Sequence, residues 1–391
     1  MADNPFTLHL ARDEAFCDRE HELNDLLTYV RNGQSVVLLS ARRLGKSSLA
    51  GKVLERLEAE DFLTARIDVY PVSSERDFVQ RLSDGIIRGI GRGADPTTIG
   101  KRLLGLFTRI SPRMEITSDG VKASASIDPG VPATIVIDDV LSSLYRYVER
   151  HHKRACIVLD EFQEIAALEQ SKTIEGTLRS FVQEHSSVSF LFLGSRRHIL
   201  TDMFSDKNRP FYRSSLVYPL GKIPESAFVA FISERFAATG KDCPADVATS
   251  IYRLANGFSW YVQGLAMIAW NQTQPGRSCT AEYIEASCQT MLSMQSPEFE
   301  ATLSALPPGQ KAVLRALAAQ PSKSLYGADY PLYRQLSPGG IQKALVALVK
   351  LDFVEEDQQG VYSVVDPFMA RWLTLGSAGN CMPSGTCAGS A

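Results

Sequence analysis

The chain has 391 residues, more than one hydrophobic core usually supports, so its length indicates two or three domains. Its composition, 45% hydrophobic and 22% charged, is that of a globular protein and excludes a mainly disordered, collagenous or coiled-coil chain. With 41 basic and 44 acidic residues the formal net charge is −3, which gives the whole chain no attraction for nucleic acid or an anionic membrane.

The cysteines and the apolar stretches favour a cytoplasmic protein. The seven cysteines form no C-x-x-C pair and no spacing typical of a metal site, which predicts a reducing environment. The N-terminus carries acidic residues and does not resemble a secretory signal. Residues 254–276 carry no charge, but the asparagines and glutamines among them would not be solvated by hydrocarbon, so we expect no membrane contact.

The first half of the chain alternates between helical and strand patterns. A helix over 20–31 precedes the apolar run 36–39, a short loop and a helix that begins at 47. Further strands are predicted over 63–70, 155–160, 188–194 and 216–220, and the helices between them over 77–90, 137–153 and 173–185. Five strands separated by helices predict an α/β fold, with a mainly parallel five-stranded sheet between two helical layers.

Other segments depart from this alternation. Between about 92 and 132 the pattern weakens, and alternating polar and apolar residues around Asp119-Gly120 predict a hairpin inserted into the main fold. A purely helical pattern then gives way to two helices and two short strands around Gly360, the order of a winged helix. The predicted division is a loose N-terminus (1–15), an α/β core (16–222), a helical lid (223–297), a winged helix (298–375) and a disordered tail (376–391).

The strongest motif lies between the first predicted strand and its helix and reads Ser40-Ala41-Arg42-Arg43-Leu44-Gly45-Lys46-Ser47-Ser48. It approximates G-x-x-x-x-G-K-[ST], with Ser40 in place of the first glycine. The backbone N–H groups of such a loop cradle phosphate oxygens, while the lysine and the hydroxyl serve the terminal phosphates and Mg²⁺. The alternative is a solvated lysine at an ordinary helix start.

A pair of acidic residues, Asp160 and Glu161, ends the apolar strand predicted over 155–160. In a parallel sheet this places Asp160 at the same edge as the loop, where its carboxylate can hold Mg²⁺. Glu161 could then polarise an attacking water. The alternative is a strand that merely ends in solvated acids.

Two arginines are candidates for contact with the terminal phosphate. Arg196, followed in preference by Ser195, comes directly after the strand predicted over 188–194, which should lie beside the acidic pair. Arg213 could complete the site as an arginine finger from this or another subunit. The alternative for both arginines is a solvated surface position.

These motifs together resemble those of archaeal-type P-loop ATPases, a family of the STAND class, over about residues 16–373. Residues 16–23 are similar to F-x-G-R-E-x-E-L, with Asp18 in place of glycine, and 41–49 to P-R-R-x-G-K-[ST]-S-L. The remaining matches are L-D-E-[FI]-Q at 159–163, the Gly-Ser pair followed by arginine at 194–196, G-G-x-P-x-Y at 256–261, with Ser259 in place of proline, and D-P-x-[FL]-x-x-W at 366–372.

The resemblance implies ATP or ADP as ligand, Mg²⁺ as cofactor and a role for each motif residue. It places Arg19 near the base, and Ser47 and Asp160 on the metal. Lys46, Glu161 and Arg196 would act in catalysis, and the phosphate contacts would come from Ser40, Arg42, Arg43, Leu44, Gly45, Lys46, Ser47 and Ser48. Asp18 and Ser40 each replace a glycine, whose lack of Cβ permits unusual backbone angles.

A winged helix invites a DNA-binding interpretation, since its second helix fits a major groove. The charges of 301–375 do not favour it, because seven basic residues face six acidic ones. The second helix offers only Lys343 and Lys350, while the wing carries three consecutive acids, which would repel phosphate. We therefore expect contact with a protein, or self-association, rather than DNA.

The sequence thus predicts a slow Mg²⁺-dependent ATPase that acts as a nucleotide-controlled conformational switch. One alternative is a DNA-binding regulator or loader that ATP licenses. Another is a scaffold that retains ADP without turning it over.

Overall fold

The computed structural model describes residues 3–11, 13–92, 98, 102–103, 105–117, 120–128, 130–327, 330, 332 and 336–378. The chain divides into two units, His9–Lys222 and a second formed by Met1–Leu8 with Ile223–Ala391. In chain order the first unit contains α1 (Glu20–Arg31), β1 (Val36–Leu39), α2 (Lys46–Ala59), β2 (Leu63–Asp68), α3 (Glu75–Gly91), β3 (Ile110–Thr117), β4 (Gly120–Ile127), α4 (Ala133–Arg150), β5 (Ala155–Asp160), α5 (Ser171–Glu184), β6 (Val188–Gly194), α6 (Arg197–Ser205) and β7 (Leu216–Pro219).

A five-stranded sheet in the order β2-β5-β6-β1-β7 forms the centre of this unit. All of its strand pairs are parallel, with Val37 opposite Phe192 and Asp68 opposite Asp160. The carboxyl ends of β1, β5 and β6 therefore lie at one edge and next to one another. This sheet confirms the α/β architecture predicted from the sequence.

Both faces of the sheet are covered by helices. Along β5, Ile157 and Leu159 join the buried cluster that includes α3, α4, α5 and α6, while Cys156 and Val158 join the cluster formed with α1 and α2. Successive side chains of a strand point to opposite faces, so a strand buried on both sides must be apolar throughout. That requirement explains the unbroken apolar runs in the sequence.

The inserted segment contains the expected hairpin, since β3 and β4 pair antiparallel with Thr117 opposite Gly120. Asp119, the other residue of the expected turn, lies outside the described residues. The helix predicted over 137–153 is α4, which begins earlier, at Ala133, and ends at Arg150. Pro132 precedes its first residue, where a missing N–H costs nothing, and His152 ends the helical path with a positive φ of 51°.

The second unit is mainly helical. Its elements are α7 (Glu225–Ala238), α8 (Ala245–Leu254), α9 (Ser259–Gln272), α10 (Ala281–Ala305), α11 (Pro308–Ala319), α12 (Pro338–Lys350), β8 (Val354–Glu356), β9 (Tyr362–Val364) and α13 (Pro367–Ala378). The elements from α11 onward have the order of a winged helix, with β8 and β9 paired antiparallel as the wing. Tyr261 of α9 links the two parts of this unit, because its hydroxyl is 2.8 Å from both carboxylate oxygens of Asp366 and its ring stacks on Phe368.

Some segments differ from the sequence expectation. The helix α10 continues through Pro297 and crosses the expected lid boundary at 297/298, so the division of this unit into lid and winged helix stays a prediction. The start of the chain, expected to be loose over 1–15, is held at Asn4, whose Nδ2 donates to Met267 O at 2.9 Å, and at Phe6, which is buried against Phe236. One aromatic residue in a polar stretch has no periodicity to reveal this packing.

The C-terminal helix α13 extends to Ala378. Residues 376–378, which were expected to belong to a disordered tail, are therefore helical, and residues 379–391 lie outside the described part of the chain. No helix among the described residues is both long and apolar enough to cross a membrane.

Helix α3 packs onto β2 through Gly85, where a Cβ would lie 2.2 Å from Cγ1 of Ile67. We predict that Gly85→Ala lowers the free energy of unfolding by about 1 to 3 kcal/mol, because overpacking a filled core forces side chains and backbone to shift. Urea denaturation followed by circular dichroism measures the change.

Gly176 in α5 is the matched control, since its Cβ would lie in open space, with no atom within 4 Å apart from the adjacent residues and the backbone of its own helix. Gly176→Ala should raise stability by up to about 1 kcal/mol through helix propensity. Equal effects of the two substitutions would contradict the close packing of α3 on β2.

Candidate functional site

The predicted phosphate loop is a tight turn between β1 and α2. Arg43 and Gly45 have positive φ values of 67° and 89°, and α2 begins at the next residue, Lys46. Glycine adopts this left-handed conformation without strain, which explains its place directly before the helix. The first-turn N–H groups of α2, which have no partner within the helix, are thus at the end of the loop, the arrangement that suits an anion.

The loop and the acidic pair are brought together at the carboxyl edge of the sheet. The Ser47 hydroxyl donates to Oδ2 of Asp160 at 2.9 Å, and the Lys46 ammonium lies 3.6 Å from Oε1 of Glu161. Lys46 and Asp160 are both buried. Two adjacent acids therefore contact two adjacent residues: Asp160 contacts Ser47, and Glu161 contacts Lys46.

Arg66, which lies in β2 beside β5, is a site residue that was not predicted from the sequence. Its Nη2 donates to Oδ2 of Asp160 at 2.6 Å, so this carboxylate oxygen accepts from both Arg66 and Ser47. An ion pair on a buried carboxylate orients it and compensates for its desolvation. The available signal was a single arginine in the apolar strand sequence LTARID.

Glu161 is held firmly by its surroundings. Its Oε2 accepts from the Ser195 hydroxyl at 2.8 Å, from the Ser195 N–H at 3.3 Å and from Nε2 of Gln163 at 2.7 Å. Burial alone would raise the pKa of Glu161, but the positive charge of Lys46 and the donated hydrogen bonds outweigh it and lower the pKa. Its φ of 53° is unusual for a residue with a Cβ, a strain that occurs where surrounding contacts fix the conformation.

The end of β6 joins the same site through Ser195. Nε of Arg42 donates to Oγ of Ser195 at 3.2 Å, which links the loop to the strand beside the acidic pair. The side chain of Arg196, by contrast, pairs with Glu164. Its Nη1 lies 3.8 Å from Oε1 of Glu164, and the side chain is 40% exposed. The structure thus brings Ser195 to the acidic pair and pairs Arg196 with Glu164.

Arg19 is a buried arginine that contacts the backbone of the predicted phosphate loop. This arginine is 3% exposed, and its Nη2 donates to the Leu44 carbonyl at 3.0 Å while Nη1 donates to Glu22 at 2.7 Å. The position expected to lie near a base therefore holds the backbone of the phosphate loop. Any contact of Arg19 with a base stays a prediction.

Asp18 and Ser40, which replace glycines of the family motifs, differ in backbone conformation. Asp18 has a φ of 51°, the left-handed conformation that glycine would adopt without strain. Ser40 is not among the described residues with positive φ; it is buried and donates its hydroxyl to the Ala41 carbonyl at 3.0 Å. The serine at position 40 therefore does not occupy a left-handed backbone conformation.

Ser48 and Arg213, also predicted as site residues, make no contact with the acidic pair among the hydrogen bonds and ion pairs of the described residues. Ser48 is half-buried and its Oγ accepts from the Ala11 N–H at 3.1 Å. Arg213 is exposed, with its guanidinium 5.2 Å from the ring of Tyr212, and its role as an arginine finger stays a prediction. A cavity of about 370 Å³ opens beside Ser47 and Ser48, a volume within the range of small-molecule sites.

The donor set fits a magnesium ion that is shared with phosphate. The described residues contain no group of three or more His, Cys, Asp or Glu side chains able to form a metal cage. Mg²⁺ in phosphate-transfer sites takes only one or two protein oxygens and completes its shell with phosphate and water. The Ser47 hydroxyl and the Asp160 carboxylate, 2.9 Å apart at the loop, are such a pair.

Two family models match the chain. Residues 16–265 match an ATPase domain described as predominantly from Archaea, and residues 297–375 match a probable winged helix domain. No curated protein matches the chain.

Solved structures with the same fold cover nearly the whole chain. The Walker-type ATPase paby2304 of Pyrococcus abyssi is 18% identical, with a TM-score of 0.69 over 93% of this chain and 97% of its own. The ORC2 protein of Aeropyrum pernix, in ADPNP-ADP complexes, is 15% identical, with a TM-score of 0.53 over 95% of this chain and 99% of its own. At these identities the similarity shows the fold alone.

These matches confirm the resemblance inferred from the motifs and the fold predicted with it, a P-loop NTPase core with a C-terminal winged helix. They also support ATPase activity in general terms. The roles of individual residues stay predictions, which the geometry above makes testable.

The contacts of Arg19 generate a stability prediction. We predict that Arg19→Lys lowers the free energy of unfolding by about 1 to 3 kcal/mol, because an ammonium lacks the planar fork that reaches Leu44 and Glu22 together. ADP affinity should fall as well, since the loop loses its support. Urea denaturation and calorimetric titration with ADP measure the two effects.

Arg253→Lys is the matched control, because Arg253 is 71% exposed and pairs only loosely with Glu225 at 3.3 Å. Its stability should change by less than about 0.5 kcal/mol. Wild-type stability and ADP affinity in Arg19→Lys would show that the buried arginine does not hold the loop.

Proposed function

Because the chain belongs to the family of ATPase domains found predominantly in Archaea, we propose that it binds ATP with Mg²⁺ and hydrolyses it slowly as a conformational switch. One observation carries the proposal: Lys46 and Ser47 of the loop each contact one member of the acidic pair at the carboxyl edge of the sheet. This is the arrangement that phosphoryl transfer requires, with a cation, a hydroxyl and two differently placed carboxylates.

Each residue of the proposed site has a distinct role. The loop backbone and the α2 N-terminus bind phosphate oxygens, and Lys46 neutralises the terminal phosphates. Ser47 and Asp160 would hold Mg²⁺, which supplies charge neutralisation at the phosphates. Glu161, in contact with Lys46 and Ser195, orients the attacking water and accepts its proton. Arg196, at the end of β6, senses the terminal phosphate.

A low rate follows from the contacts of Arg196, which pairs with Glu164 in this structure. P-loop enzymes hydrolyse nucleotide slowly until an arginine reaches the transferred phosphate, because the developing charge otherwise lacks one stabilising partner. The contacts of Glu161 also include Lys46, which a bound phosphate would attract. Nucleotide binding therefore changes the contacts of the residue that directs water, the kind of local change on which a switch depends.

We infer that the winged helix contacts protein rather than DNA. The exposed face of α12 includes Val346, which is 56% exposed, and Leu351 follows at 46%. Lys343 and Lys350 are the basic residues of that helix, and the wing strand β8 contains two acids. Exposed apolar side chains with a nearly neutral charge balance suit a protein surface better than a phosphate backbone.

The site variants should separate binding from turnover. We predict that Lys46→Ala raises the Kd for ATP by a factor on the order of 10 to 100, the cost of losing a charged hydrogen bond. Glu161→Gln should keep ATP binding and lower kcat by a factor on the order of 10² to 10⁴, since the amide cannot accept the proton. Calorimetry and a phosphate-release assay measure the two quantities.

Lys207→Ala and Glu184→Gln are the matched controls, because both residues are exposed and outside the proposed site. Unchanged ATP affinity in Lys46→Ala would reject the nucleotide site. An unchanged rate in Glu161→Gln would remove Glu161 as the base, and bound ADP without turnover in the wild type would favour a scaffold.

The DNA alternative has its own test. We predict no binding of a labelled duplex tighter than about 10⁻⁴ M at about 150 mM salt, with ATP or with ADP, because the basic residues of 301–375 are nearly balanced by acidic ones. Fluorescence anisotropy measures the affinity. Salt-dependent binding that Lys343→Ala and Lys350→Ala weaken would instead establish a DNA-binding regulator.

A further inference from the structure

Gln163 is a buried polar residue that lies beside the proposed base. It is the second residue of the short 3₁₀ helix Phe162–Ala167, which begins immediately after Glu161, and it is only 2% exposed. A side chain of this polarity is costly to bury without a full set of partners. Its contacts therefore indicate why it is there.

The amide group of Gln163 bridges two carboxylates. Its Nε2 lies 2.7 Å from Oε2 of Glu161 and 3.1 Å from Oε1 of Glu164. Ionised carboxylates only accept hydrogen bonds, so the NH₂ end, which has two hydrogens to donate, must face them. This fixes the orientation of the amide.

The opposite end of the same amide has no hydrogen-bond partner. Oε1 of Gln163 is buried and unsatisfied, and it lies so close to Gly194 that a Cβ there would meet it at 2.1 Å. An apolar side chain of similar size would avoid the unpaired oxygen. A glutamine at this position thus costs stability for the sake of the hydrogens that it donates.

The hydrogen bond from Gln163 is one of those that determine which oxygen of Glu161 faces the loop. Together with the hydroxyl and N–H of Ser195, it supplies three donors to Oε2. Oε1 remains on the side of Lys46, 3.6 Å from the ammonium. A carboxylate that is held by one oxygen in this way presents the other in a single direction.

We propose that Gln163 is a positioning residue for hydrolysis, which aims Oε1 of Glu161 at the reacting water by holding Oε2. This inference rests on the proposed role of Glu161 as the base. The hydrogen bond restricts rotation of the Glu161 carboxylate. This restriction matters because a small misplacement of a general base lowers the rate of the reaction. Glu164, whose carboxylate also lies 3.8 Å from Arg196, anchors the other hydrogen of the amide.

The test uses Gln163→Leu, which keeps the approximate volume and removes both hydrogens. We expect kcat for ATP to fall about tenfold or more, while the Kd for ATP stays within about twofold of the wild type. A residue that only supported the fold would change affinity and stability together. Gln163→Met, unbranched like glutamine, repeats the test if the leucine variant does not fold.

Gln289→Leu is the matched control, because Gln289 is exposed on α10 and its side-chain amide donates to Glu285 of the same helix. Its kcat should equal that of the wild type. A double-mutant cycle with Glu161→Gln adds a readout that is specific to positioning. In the Glu161→Gln background, Gln163→Leu should lower the remaining kcat by less than about twofold, because the base that Gln163 would position is absent.

The outcomes separate the two proposals. If Glu161→Gln abolishes turnover but both Gln163 variants keep the wild-type kcat, the positioning role is wrong and the proposed function stands. Full additivity of Gln163→Leu with Glu161→Gln also overturns the positioning role. If Glu161→Gln keeps the wild-type rate, the assignment of the base fails, and the role of Gln163 fails with it.

Discussion

The proposed site depends on a property of parallel sheets, which place the carboxyl ends of neighbouring strands side by side. The order β2-β5-β6-β1-β7 puts β6 between β1 and β5, so strands that end at Leu39, Asp160 and Gly194 have their carboxyl ends at one edge. The loop after β1, the acids that end or follow β5 and Ser195 after β6 consequently lie within hydrogen-bonding distance of one another. Without that order the same motifs would be unrelated surface features.

A continuous set of polar contacts crosses this edge. Arg66 and Ser47 meet at Asp160, while Lys46, Ser195 and Gln163 meet at Glu161. Each acid thus has cationic and neutral partners, which compensate for the burial of Asp160 and the partial burial of Glu161 and give each carboxylate a fixed orientation. Bound phosphate would compete for the same cations, so ligand binding and the arrangement of the acids are physically coupled.

The sequence predicted the sheet and its motifs well because the information was local. A buried strand must be apolar, and a phosphate loop must lie between a strand and a helix, so both leave contiguous signals. Side-chain contacts leave weaker signals: Arg66 is one charge in an apolar strand, and Gln163 ends the motif at 159–163, which does not reveal the partners of its amide. The continuous helix α10 was missed for a related reason, since Pro297 within it is a signal that normally ends a helix.

A crystal structure of the chain with Mg²⁺ and a non-hydrolysable ATP analogue would test the proposed site most directly. We expect phosphates enclosed by the loop 40–48 with Lys46 turned toward them, the metal on Ser47 and Asp160, and Oε1 of Glu161 facing the terminal phosphate. Nucleotide bound elsewhere, or a loop that stays empty at saturating analogue, would contradict it.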